Sequence, residues 1–74
     1  MTLTPRQKEV LRLVAMGHTA EEIGSALGIS ARTARAHTDA LRSKLGVSRR
    51  RQIPMAYRRV TGKDPLLPTS AEHG

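Results

Sequence analysis

Three stretches of this chain each open on a hydroxyl residue able to cap a helix and close on a glycine, and the second and third are separated only by Gly28-Ile29-Ser30. That joint constrains the fold more than any other feature. Two helices ending and starting around so short a linker cannot continue as one rod; they must cross and bury a shared side. Gly28 supplies the left-handed backbone conformation that such a corner requires, at no steric cost.

The flanking residues fill in the helices. Thr4-Pro5-Arg6-Gln7 combines a cap, a proline suited to the first helical position and a glutamine that can complete a capping box. Val10, Leu11 and Val14, with Leu13, give an apolar stripe at helical spacing, and Gly17 closes a helix over about residues 5–16. Thr19-Ala20-Glu21-Glu22 is a second capping box, with both carboxylates in the first turn where the helix dipole favours them. Ile23, Ala26 and Leu27 form the buried side of that helix. Ser30 then caps a third, over about Ala31–Leu45, with Ala34, His37, Leu41 and Leu45 directed inward and Arg32, Arg35, Ala36, Asp39, Arg42 and Ser43 on other faces. Gly46 stops it, Val47 packs, and Ser48 is expected to cap a fourth helix running to about Arg59. Two short capped helices about a glycine-containing turn make a helix-turn-helix. With no strand signal present, the expected fold is all-α, a small four-helix bundle over residues 1–60, followed by an extended or disordered tail over 61–74.

Charge is distributed unevenly over this framework. Residues 31–60 carry nine basic side chains against the single acid Asp39, whereas the first thirty residues balance. Such a concentration is the footprint of a polyanion partner. The chain has one aromatic residue, Tyr57, too few for the stacking platforms of single-strand and RNA binders, so the polyanion is expected to be duplex DNA. Absence of cysteine removes disulfides and thiolate metal sites. No apolar run approaches the ~20 residues of a membrane span, and the N-terminus lacks a secretory signal, which predicts a cytoplasmic protein without membrane contact.

Leu3-Thr4-Pro5-Arg6, Glu9-Val10-Leu11, Gly17 and Glu22-Ile23, then Leu27-Gly28-Ile29-Ser30, Arg32-Thr33, His37 and Lys44-Leu45-Gly46-Val47-Ser48, resemble the LuxR-type (GerE-like) DNA-binding domain over residues 3–60. The resemblance implies a third helix that enters the major groove and a fourth that pairs two copies. It further implies that Arg35, Ala36 and Asp39 face base edges and that Thr33, His37 and Lys44 lie near phosphates. Met1 stands two residues before the motif, so a single-domain form without a sensory domain is expected.

The chemistry of the residues agrees in part. A guanidinium at Arg35 matches the two acceptors of guanine, and Lys44 suits a phosphate. Arg32 and Arg42 add phosphate contacts from the same helix. Arg49-Arg50-Arg51, three cations opposing a helix dipole at its N-terminus, call for a nearby anion, again phosphate. Asp39 departs from the family's usual basic or small polar residue; it is tolerable there if it accepts from cytosine N4 or pairs with Arg35 one turn earlier. Ala34 and Ala40 are smaller than the usual Val and Asn. Pro54 departs most: inside a helix capped by Ser48 it would cost about 3 kcal/mol, so the helix is either kinked or begins near Pro54, and pairing through it is expected to fail or to depend on DNA.

Plainer roles account for several other residues. His37 is equally suited to a hydrogen-bonded core position, and His18 and His73 have no ligand spacing with any other donor. Glu21 and Glu22 read as first-turn caps, not an acid–base pair, and Thr4, Thr19 and Ser30 have no base beside them that would make a nucleophile. Leu66-Leu67, between prolines, either folds back on the domain or docks a protein partner. The expected function is thus a non-enzymatic, cofactor-free regulator that binds specific duplex DNA. The alternative is an interaction protein of the same fold that acts on another regulator or on the transcription machinery.

Overall fold

Thr4 caps the first helix through the reciprocal box its sequence predicts: Thr4 Oγ1 accepts from the Gln7 N–H, and Gln7 Oε1 accepts from the Thr4 N–H, both at 3.0 Å. The computed structural model describes residues 2–66. Its elements are α1 (Pro5–Ala15), α2 (Ala20–Leu27), α3 (Ala31–Leu45), a 3₁₀ turn (Arg50–Gln52) and α4 (Ile53–Thr61), with no strand among the described residues. Thr19 and Glu22 repeat the box at α2, and Ser30 Oγ accepts from the Thr33 N–H at α3.

The core lies between the four helices. Val10, Leu11 and Val14 of α1 meet Ile23 of α2, Ala34, Leu41 and Leu45 of α3, and Ile53 and Ala56 of α4, with Leu3 closing one end. Two inward positions differ from expectation. Ala26 is exposed, and α2 instead buries Gly24. A Cβ at Gly24 would stand 2.6 Å from the Ile29 carbonyl oxygen, so this glycine lets the joint fold back tightly against the helix it has just left. On α3 it is Thr38, not His37, that completes the buried row; His37 is only half-buried. Thr38 tolerates burial because its hydroxyl donates to the Ala34 carbonyl at 3.0 Å, an acceptor that the helix itself supplies.

The last helix does not start at Ser48. The Arg49 N–H donates to Gln52 Oε1 and the Gln52 N–H donates back to the Arg49 carbonyl, which closes the 3₁₀ turn before α4 opens at Ile53. Pro54 therefore falls in the first helical turn, where its missing N–H leaves no intrahelical bond unmade. Of the two outcomes open to the proline, the structure takes the late start. The helix runs to Thr61 and ends at Gly62 in the left-handed region. Residues beyond it turn back: Asp64 Oδ1 accepts from the Leu66 N–H at 2.9 Å and Pro65 is buried. α4 thus takes in Thr61, and residues 67–74, with Leu67 of the proposed docking pair, lie outside the described residues.

Candidate nucleic-acid interface

α3 is held by its buried row, so its remaining faces are presented outward. Arg32, Thr33, Arg35, Ala36 and Asp39 are all exposed and occupy its N-terminal two-thirds. A helix in this position of a helix-turn-helix reads DNA with its N-terminal half. Thr33 has a hydroxyl suited to the outer face: Ser30 Oγ donates to it at 2.9 Å, which leaves its own proton available to an outside acceptor.

The charged side chains are less free than sequence alone indicates. The Arg35 guanidinium lies 3.4 Å from Glu21 of α2, and both side chains are largely exposed. A pair of this kind is worth at most about 1 kcal/mol, so it orients Arg35 without immobilising it. Asp39 pairs with Arg42 one turn later rather than with Arg35 one turn earlier. A second arm of Arg42 donates to the Ser48 carbonyl at 2.8 Å, so this arginine ties α3 to the segment that carries the arginine run. Lys44 is turned toward the N-terminal segment and the start of α1. Its ammonium donates to the Thr2 carbonyl at 2.8 Å and to Gln7 Oε1 at 2.9 Å, which uses two of its three donors. The same Gln7 oxygen that closes the first capping box thereby also anchors the end of α3.

The arginine run is divided by the 3₁₀ turn. Arg49 and Arg51 are exposed, whereas Arg50 is half-buried and its Nη2 has neither solvent nor an acceptor. Arg50 borders two clefts. One, of about 280 Å³, is lined by Ala20, Arg35, Thr38, Asp39, Arg42 and Arg50; the other lies beside Val14 and Gly17 with Arg49 and Arg51. At the start of α2, the Glu22 carboxyl is held below the usual glutamate range, first by the Thr19 backbone N–H at 2.8 Å and then by His18 Nδ1 at 3.4 Å. That is the signature of a cap, not of a catalytic acid. No group of metal-ligating side chains occurs among the described residues, and no helix there is long and apolar enough to cross a membrane.

Crossed α2 and α3 joined through Gly28, with an exposed basic face on the second, define a helix-turn-helix domain. The family described as bacterial regulatory proteins, luxR family (GerE) matches residues 1–56, and the chain belongs to that family. Among its relatives, YhjB of Escherichia coli (strain K12), whose name places it with HTH-type transcriptional regulators, is 43% identical over 54 residues, 73% of this chain and 27% of that protein. MctR of Rhizobium johnstonii, named a transcriptional regulatory protein, is 41% identical over 46 residues, 62% of this chain and 22% of its own length. The chain spans about a quarter of the length of these relatives. No solved structure matches it.

Proposed function

We propose that this domain regulates transcription by binding specific sites on duplex DNA, with α3 in the major groove. The observation that carries the reading is the face of α3: a helix anchored on one side by Ala34, Thr38, Leu41 and Leu45 offers Arg32, Arg35, Ala36 and Asp39 to solvent on the other. In this reading Arg35, Ala36 and Asp39 meet base edges. Arg32, Thr33, His37 and the run Arg49–Arg51 meet phosphates, while Lys44 and Arg42 contribute to phosphate contact with the donors their internal bonds leave over. The family and the names of its relatives support a regulatory, non-enzymatic role.

The test is a polarisation titration on genomic fragments and random duplex. Neutralising on the order of six phosphates makes affinity fall roughly a thousandfold from about 50 to 200 mM salt. Affinity that stays flat over that range, or no preference for any genomic fragment, overturns the reading.

A further inference from the structure

The two carboxylates that open α2 are adjacent in sequence and separate in use. Glu22 is taken up by its own helix: Oε1 accepts from the Thr19 N–H at 2.8 Å and lies 3.4 Å from His18 Nδ1. Glu21 has no part in that cap. It reaches across the joint, where its Oε2 accepts from Arg35 Nη1 at 3.4 Å. Among the described residues this is the one ion pair that joins α2 to α3.

The arginines of α3 are thereby placed in different states. Arg32 is exposed and has no ion-pair partner among the described residues. Arg42 is engaged with Asp39 and with the Ser48 carbonyl. Arg35 stands one turn before Asp39 on the same helix, yet that acid turns to Arg42, and the carboxylate left for Arg35 belongs to the other helix. The engagement uses one terminal nitrogen, Nη1. Nε and Nη2, which form the side-on fork of a guanidinium, make no bond among the described residues. A bidentate contact to the two acceptors of guanine needs such a fork. Tethering Nη1 to a neighbouring helix narrows the orientations the fork can take, which lowers the entropy cost of meeting a base edge. The same carboxylate offsets part of the charge of Arg35 and repels phosphate oxygens, so it works against contact that ignores sequence.

We propose that Glu21 is a specificity-determining positioning residue: through its ion pair across the joint it holds the fork of Arg35 toward a base edge and away from the phosphate backbone. This rests on the DNA-binding reading above and adds to it a residue that need not touch DNA. It also gives Arg32 and Arg35 unequal roles on one helix, the first unrestrained and the second aimed.

The experiment compares the parent, Glu21→Gln and Glu9→Gln on a preferred genomic fragment and on random duplex, at two salt concentrations, and repeats Glu21→Gln on Arg35→Ala. Glu9 supplies the control: it is exposed, pairs with Arg6 within α1, and its replacement changes the net charge by the same amount. Glu9→Gln should shift both affinities equally. Glu21→Gln should tighten binding to random duplex and lower the preference for the genomic fragment about three- to fivefold, the most that an exposed ion pair carries. Salt dependence on random duplex should steepen by roughly one phosphate contact as Arg35 is released. In the Arg35→Ala background, Glu21→Gln should leave the preference unchanged. The Glu21 side chain is 72% exposed, so the variant is expected to fold as the parent does, which thermal melts check. A preference that survives Glu21→Gln intact, or one that falls as far without Arg35 as with it, overturns the proposal and leaves the proposed function standing. A parent protein with no preference for any fragment overturns that function, and this role with it.

Discussion

Arg35 and Lys44 sit on the same helix and should fail in different ways when truncated. Arg35 stands in the N-terminal part of α3 with only an exposed partner, Glu21. Arg35→Ala should therefore cost about 1–3 kcal/mol at a preferred site and little on random duplex. Titration of both DNAs decides it, and equal losses would mean that Arg35 touches only phosphate. Lys44 spends two donors on Thr2 and Gln7. Lys44→Met should lower the unfolding free energy by about 1 kcal/mol and weaken all sequences alike, a combination that denaturant melts alongside the same titrations separate from a pure DNA effect. The two internal partners of Lys44 lie 42 and 37 positions away, beyond anything a local pattern encodes.

Helices were legible where their signals are local. The boxes at Thr4 and Thr19 and the cap at Ser30 join residues three apart, and each forms as read. The reading of α3 erred where two adjacent residues flank one face: Thr38 lies nearer than His37 to the centre of the row formed by Ala34, Leu41 and Leu45, and its hydroxyl is satisfied inside by the Ala34 carbonyl. Gly24 and Arg50 were illegible for a related reason, since the close approach of Ile29 to one and the missing acceptor of the other exist only after the chain has folded. The fourth helix shows the same limit in a form that can be tested. Ser48 looks like a cap, yet the backbone turns once more before α4 begins, and this places Pro54 where proline is tolerated. Pro54→Ala should thus change stability by no more than about 0.5 kcal/mol, against the ~3 kcal/mol at stake for proline inside a helix. Equilibrium denaturation distinguishes the two without ambiguity.

At the scale of the molecule, the open question is self-association. α4 gives Ile53 and Ala56 to the core, which leaves Met55 and Val60, 67% and 56% exposed, as its outward apolar residues. Arg58 and Arg59 share that exposed surface. Two such faces brought together bury little apolar area and oppose like charges, which DNA screens better than solvent does. The DNA-free domain is accordingly expected to sediment as a monomer at micromolar concentration, with any pairing confined to adjacent sites on a duplex. A tight dimer in the absence of DNA, abolished by Met55→Glu, would show that α4 suffices. The chain of contacts from Asp39 through Arg42 to Ser48 has a further effect, on how such a domain can change over generations. In the proposed reading, the face that would select a target sequence is linked through Arg42 to the segment that would meet the backbone. A substitution that retunes the target therefore also alters how long the domain stays on it, so choice of site and residence time would drift together instead of being adjusted one at a time.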